Sequence, residues 1–125
     1  MNITTMFKLI KAPLKNQRWS WGSYRPDGTI VLRVGQHEIS NGLAGLDTNS
    51  QNEGHGKDER REHVAAIEAG AACYVVTVIS SDPHNPKANI VGFNKRELWY
   101  GKEVVYVDGK AYLKLIHRVA IGELL

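Results

Sequence analysis

The sequence predicts an α+β domain in which a small, strongly twisted antiparallel β-barrel packs against one main helix. Many short apolar segments alternate like strands between turn residues, one stretch has helical periodicity, and one continuous β-branched run is typical of a buried strand. The chain has 125 residues, of which 42% are hydrophobic. This size and composition favour a single domain over residues 1–125.

The N-terminal segment is expected to begin with a strand over Thr5 to Ile10, because Phe7 and Leu9 alternate with Lys8. Pro13 would end any regular element here. The same segment also fits helical spacing, through Ile3, Met6, Phe7 and Ile10.

A β-hairpin is predicted next, with arms over residues 18–25 and 29–36. The intervening Pro26-Asp27-Gly28 has the residue types that turns favour. Alternation therefore places one wall of the apolar core on this hairpin, formed by Trp19 and Trp21 in the first arm and by Ile30, Leu32 and Val34 in the second.

Residues 40–57 are predicted to form a long, mobile polar loop, and loops longer than about 12 residues in compact domains are often functional. Asp58 is a candidate N-cap for a helix over residues 59–69, and Gly70 is placed to end it. The buried stripe of this helix is expected to comprise Arg60, Val64, Ile67 and Ala71.

The remaining chain is predicted to be rich in strands. Residues 72–79 (ACYVVTVI) form the apolar run of a central buried strand. A second hairpin is expected around Asp108-Gly109, a dipeptide that two-residue turns prefer. The other predicted strand segments are residues 89–93, 97–100, 103–107, 110–116 and 120–125.

Composition also narrows the cellular setting. No apolar run approaches the roughly 18 residues of a membrane-spanning helix, and no signal-like hydrophobic block opens the chain. The single cysteine, Cys73, has no disulfide partner and lies in an apolar run that would make its thiol inert. We therefore expect a cytoplasmic protein without a membrane partner.

Positive charge is concentrated near the N-terminus. The first carboxylate is Asp27, so the first 26 residues contain only basic charged side chains, which are Lys8, Lys11, Lys15, Arg18 and Arg25. A local excess of positive charge attracts polyanions whatever the overall charge of the protein. The same pattern is equally compatible with an ordinary solvated face.

Motifs for catalysis are weak. The glycines around residues 54–57 match neither a dinucleotide-binding nor a phosphate-binding loop, and no nucleophile elbow is present. His55, Glu59 and His63 are near one another in sequence but do not form a metalloprotease motif. We expect no metal and no cofactor, and the sequence favours a non-catalytic role.

The segment from Arg18 to Arg25 is the clearest functional signal, because three large rings and two guanidinium groups are separated by small residues. Aromatic rings offer flat faces on which bases stack, and arginine side chains reach phosphates. Large apolar rings such as those of tryptophan are, however, more often part of the hydrophobic core. Gly22 in mid-strand marks either a bulge or a place where a ligand comes close to the backbone. The candidate nucleic-acid-binding residues are Arg18, Trp19, Trp21, Tyr24, Arg25, Arg33, Lys95, Arg96 and Trp99.

Arg18-Trp19-Ser20-Trp21-Gly22, together with the helix DERREHVAAIEAG and the strand YVVTVISSDP, resembles small PUA-like β-barrel domains. The WSWG stretch is similar to a module of bacterial restriction-type proteins that is joined to HNH nucleases. The resemblance implies a barrel with an open pocket for a flipped or modified base. Trp19, Trp21 and Trp99 would stack on that base, and Arg18, Arg25 and Arg33 would contact phosphates. Without a cutting domain, such a chain would be a reader alone or part of a complex.

Three functions therefore remain open. The first is a non-catalytic domain that binds DNA or RNA, in restriction or phage defence. The second is a phage or defence-system module that binds and inhibits a protein partner, since aromatic and arginine residues also dominate protein interfaces. The third is a small metal-dependent hydrolase or nuclease that uses His55, Glu59 and His63. Oligomeric state is not predicted.

Overall fold

The computed structural model describes residues 1–16, 20–46, 55–82 and 90–125, except for the side chain of residue 55. It shows an α+β domain built on one eight-stranded sheet. In chain order the helices and strands are α1 (Ile3–Leu9), β1 (Gly22–Tyr24), β2 (Ile30–Gly35), β3 (Ile39–Ser40), β4 (Leu43–Gly45), α2 (His55–Glu68), β5 (Cys73–Ser80), β6 (Ile90–Phe93), β7 (Glu97–Val107) and β8 (Lys110–Ala120), with short 3-10 turns at Gln36–Glu38 and Ile121–Leu124.

The sheet is open, so the expected closure into a barrel is wrong. Its order is β1-β2-β5-β7-β8-β4-β3, with β6 paired to β5. All pairings in the described chain are antiparallel except that of β2 with β5. The connection from β2 to β5 passes through α2, and such a crossover sets the two strands parallel and lays a helix on the sheet.

The N-terminal segment is the helix α1, and the expected strand over Thr5 to Ile10 is wrong. The Asn2 side chain caps the helix by accepting a hydrogen bond from the Thr5 N–H at 2.8 Å. Met6, Phe7 and Ile10 are all buried. Helical spacing brings these three side chains to one side, whereas strand alternation would have exposed one of them.

The main helix is confirmed, with Arg60, Val64 and Ile67 buried along it. It begins at His55, so Asp58 lies in its first turn and is not the N-cap. Gly70 follows with a φ of +115°, the left-handed conformation that commonly ends a helix. The predicted loop over residues 40–57 is partly wrong, because β4 forms within it, and residues 47–54 lie outside the described residues.

The C-terminal half follows the predicted pattern with longer strands. β5 is a central strand between β2 and β7. β7 and β8 each run for 11 residues and pair across the Asp108-Gly109 turn, with irregular register near Gly101. The expected last strand over residues 120–125 is wrong, since this end of the chain forms a 3-10 turn.

Two apolar cores lie on opposite faces of the sheet, and successive side chains of β2 point alternately into one core and the other. Ile30, Leu32 and Val34 pack with α2 on what we call the α2 face. Val31 packs with α1 on the α1 face. Among the described residues, no helix has both the length and the hydropathy that crossing a membrane requires.

Candidate functional site

A cleft of about 550 Å³ lies between the edge strand β1 and the first turns of α2. Its lining combines three carboxylates with one ammonium group, one aromatic ring and a buried imidazole. The residues are Lys15, Gly22, Ser23 and Tyr24 on one side and Asp58, Glu59, Glu62 and His63 on the helix.

Glu59 holds the chain before β1 against the helix. One of its carboxylate oxygens accepts a hydrogen bond from the Ser20 hydroxyl at 3.0 Å, and the other accepts one from the Trp21 backbone N–H at 3.0 Å. The fully buried Ser20 hydroxyl in turn accepts from the Asn16 N–H. Because both carboxylate oxygens are engaged, Glu59 positions the wall of the cleft.

Arg60 joins α2 to three other segments from beneath the cleft. It is 3% exposed, and its guanidinium donates hydrogen bonds to the carbonyls of Leu46 (3.2 Å), Trp21 (3.4 Å) and Arg33 (2.8 Å). The same group lies 5.4 Å from the centre of the Trp21 ring. A cation on the buried stripe is thus paired with backbone dipoles and with the half-buried Trp21 indole.

Tyr24 and His63 form the aromatic part of the cleft. Their rings meet edge to face with centres 5.0 Å apart. Tyr24 is 39% exposed and His63 is 1% exposed. Burial, with a further contribution from the Arg60 charge, lowers the pKa of His63 to about 4, so its imidazole is neutral near pH 7. Burial and the Glu62 and Glu59 charges raise the pKa of the Tyr24 hydroxyl.

A second concentration of rings crosses the α1 face. We call Tyr74, Tyr100 and His117 the aromatic row, since they are cross-strand neighbours on β5, β7 and β8. The rings of Tyr74 and Tyr100 are 5.5 Å apart, and Tyr100 stacks on His117 at 5.1 Å. Tyr74 is half-buried because it packs against the core of the α1 face, Tyr100 is half-buried as well, and His117 is exposed. The row is therefore open mainly at its Tyr100 and His117 end.

Arg25 stands at one end of this row, with its guanidinium 5.8 Å from the centre of the Tyr74 ring. It is firmly held: it donates hydrogen bonds to the carbonyls of Ile10 at 3.0 Å and Leu124 at 3.4 Å, and it lies 3.7 Å from the Asp27 carboxylate. Arg25 therefore fixes the chain around the row and supplies charge beside Tyr74.

The other described candidates lie apart from the cleft and the row. Arg33 is mostly buried, and burial lowers its pKa while the Glu59 charge opposes that shift. Trp99 packs against the core of the α2 face, with the Arg118 guanidinium 4.3 Å from its ring centre. Lys95 and Arg96 are exposed in the β6–β7 turn.

The structure does not bring Trp21 and Trp99 into one pocket. The backbone of Trp99 is level with Val75, Leu32 and Gly22 across neighbouring strands. Trp21 precedes Gly22, so the backbone positions of the two tryptophans are about three strand spacings apart, or about 14 Å. Arg18 and Trp19 lie outside the described residues. Of the nine candidates, Tyr24 lines the cleft and Arg25 meets the aromatic row.

Comparison with known proteins gives no family. No protein-family model, no curated protein and no solved structure matches this chain. The resemblance to PUA-like modules therefore stays a prediction.

A metal-dependent site receives no support from the described part of the chain, where no group of three or more His, Cys, Asp or Glu side chains is arranged to hold a metal. Glu59 is engaged by Ser20 and Trp21, and the His55 side chain is not described. Cys73 is fully buried, and burial raises its thiol pKa to about 12, as its apolar setting predicts.

Sequence reasoning missed the members of the aromatic row and the acidic character of the cleft. Tyr74, Tyr100 and His117 are separated in sequence, and only the register of three strands aligns them. Glu62 lies near the start of the predicted helix, where acidic side chains are common, so its position gave no sign of a cleft. One signal was available: Tyr74 alternates with the buried Val75, which places its ring on the face opposite the α2 core.

Proposed function

We propose that this protein is a non-catalytic nucleic-acid-binding domain that stacks unpaired bases on the α1 face of its sheet. The aromatic row is the observation that carries the proposal. Three partly exposed rings lie next to one another at 5.1 and 5.5 Å, with a guanidinium at one end. Bases stack on such rings without regard to sequence, each typically contributing about 1 to 3 kcal/mol.

The charge around the row supports the same function. The exposed Lys8 and Lys11 belong to the segment of α1, which packs on the same face of the sheet. The exposed Lys114 of β8 is directed to this face by alternation as well, but its ammonium already lies 3.9 Å from the Glu103 carboxylate. Lys8 and Lys11 are placed to attract phosphates, and they would make binding sensitive to salt.

The proposal moves the binding surface away from the WSWG stretch. The Trp21 ring is covered on one side by Arg60, and the guanidinium of Arg118 covers Trp99. Trp21 and Trp99 are also not neighbours of each other, whereas the row places three rings next to one another. The PUA-like resemblance implies recognition of a modified base. The proposal covers the stacking of bases on the row and does not include a preference for one base.

The test compares two tyrosines of the same strand. Labelled single-stranded oligonucleotides of about 12 nucleotides are titrated against the native protein and against Tyr100→Ala. Because one stacking surface is lost, we expect affinity to fall at least about fivefold. Tyr106→Ala is the matched control, since Tyr106 is 58% exposed and hydrogen-bonded to Glu68 of α2 on the other face.

Salt provides the second readout. The affinity of the native protein should fall steeply as salt rises, and Lys8→Gln with Lys11→Gln should flatten the logarithmic slope by about 1 to 2. Equal losses for Tyr100→Ala and Tyr106→Ala, or binding that does not respond to salt, would contradict the proposal. A stoichiometric protein partner resistant to nuclease would favour the interaction-module alternative instead.

A further inference from the structure

The cleft between β1 and α2 has a charge that does not suit a polyanion. Its lining includes the carboxylates of Asp58, Glu59 and Glu62 and the single ammonium group of Lys15. Glu59 already accepts hydrogen bonds from Ser20 and Trp21, and one carboxylate oxygen of Asp58 lies 3.6 Å from the Arg61 guanidinium. The exposed Glu62 and the second oxygen of Asp58 are left to face an incoming group. Phosphates and carboxylates would be repelled here, and cations attracted.

His63 is an independent sign that this cleft is built to receive a ligand. The imidazole lines the cleft yet is only 1% exposed. Its Nδ1 is buried and has no hydrogen-bond partner among the residues that the structure describes. A buried polar nitrogen without a partner is destabilising, and a donor group entering the cleft would offset that cost.

Tyr24 adds an aromatic surface at the same place. Its ring lines the cleft, stands edge to face with His63, and keeps 39% of its surface exposed. An aromatic face attracts a cation, and it does so more strongly when the contact is desolvated.

We propose that this cleft binds an alkyl guanidinium group, either of a free small molecule or of an arginine side chain. Guanidinium fits better than ammonium because it is planar, less strongly hydrated, and able to donate several hydrogen bonds at once to carboxylates while stacking on a ring. Asp58 and Glu62 accept from it, Tyr24 stacks with it, and His63 accepts a hydrogen bond. This site lies on the α2 side and is independent of the proposed nucleic-acid surface.

The experiment measures binding by calorimetry with three probes: arginine amide, its uncharged analogue citrulline amide, and a short peptide with one central arginine. We expect arginine amide to bind at least about fivefold more tightly than citrulline amide, because charge-assisted hydrogen bonds are lost in the analogue. If the peptide alone binds, the source is a protein side chain; if arginine amide binds as well as the peptide, a free cation is sufficient.

Variants then locate the site. Glu62→Gln should weaken binding at least about threefold, whereas Glu68→Gln removes the same charge from the same helix about 9 Å away and should leave affinity nearly unchanged. Tyr24→Leu should weaken binding and Tyr24→Phe should retain it. All three substituted positions are exposed, so the variants are expected to fold.

Three results would overturn the inference: no binding of either arginine probe, equal binding of arginine and citrulline amides, or equal effects of Glu62→Gln and Glu68→Gln. None of them bears on oligonucleotide binding, which uses Tyr100 on the other face. Failure of one proposal is therefore distinguishable from failure of the other.

Discussion

Two histidines, one on each face of the sheet, show how differently the faces are built. His63 on α2 is 1% exposed, lies against Tyr24, and is neutral because burial depresses its pKa. His117 on β8 is exposed and stacks on Tyr100. The α2 side buries polar side chains and fixes them through Arg60, whereas the α1 side leaves a ring surface open. Burial with specific partners suits selective recognition, and an open ring surface suits tolerant stacking.

Surface charge follows the same division. α2 exposes Asp58, Glu62 and Glu68 against the single exposed guanidinium of Arg61. The α1 segment exposes Lys8 and Lys11 and has no acid. A sheet with helices on both faces can therefore present opposite potentials within one domain, and each face is suited to a different class of ligand.

The largest expected effect separates a buried arginine from its exposed neighbour. Arg60→Ala removes the donors of three backbone carbonyls, and we expect the free energy of unfolding to fall by about 3 to 5 kcal/mol. Arg61→Ala, which loses only the exposed 3.6 Å contact with Asp58, should cost about 0.5 kcal/mol or less. Denaturant unfolding measures both. Comparable losses would show that Arg60 does not connect these segments.

The next effect separates the two histidines by pH. The pKa of His63 is about 4 in the folded protein against an ordinary 6.5, so the unfolded chain binds the proton more readily. Its contribution to stability is complete above about pH 6.5 and is lost as the pH falls through 4, by up to about 3 kcal/mol.

Unfolding free energies at pH 7, 5.5 and about 4 measure this dependence. In His63→Gln the difference in unfolding free energy between pH 7 and about pH 4 should shrink by up to about 3 kcal/mol. In His117→Gln the full difference should be retained. A native pH dependence in His63→Gln would mean that this imidazole is not the group that titrates.

A smaller effect concerns the wall of the cleft. A Cβ at Gly22 would lie 2.5 Å from the Val31 carbonyl oxygen, a backbone atom that cannot move aside, so Gly22→Ala should destabilise by about 2 kcal/mol. Gly92 on β6 is the control, since its added Cβ would meet only an Ile79 methyl at 3.8 Å. Gly92→Ala should change stability by about 0.5 kcal/mol or less. If thermal unfolding midpoints fall equally, the close approach at Gly22 is not what requires glycine.

Several elements were predictable because local pattern and final burial agree. The stripe of Arg60, Val64 and Ile67 has helical spacing, and these side chains are buried along α2. The run from Cys73 to Ile79 is apolar on both sides, as a strand covered on both faces requires. The segment around Met6 failed because its apolar residues fit two periodicities, and only the sheet surface against which they pack decides between them.

The site was less accessible to sequence reasoning. Tyr24 was expected at a binding surface and it lines the cleft. Its partner His63 is 39 residues away, and the carboxylates beside it looked like ordinary residues of a helix start. Trp21 and Trp99 were expected to stack on one base, but strand order places their backbone positions about three strand spacings apart, or about 14 Å.

The sequence by itself determined which segments are apolar on one side, where turns must fall, and that positive charge precedes the first acid. These properties depend on neighbours a few residues apart. The tertiary structure alone decided that the sheet stays open with a helix on each face, that three separate rings share one row, and that carboxylates gather around Tyr24. Such juxtapositions depend on strand order and register, which long-range packing fixes and local periodicity does not encode.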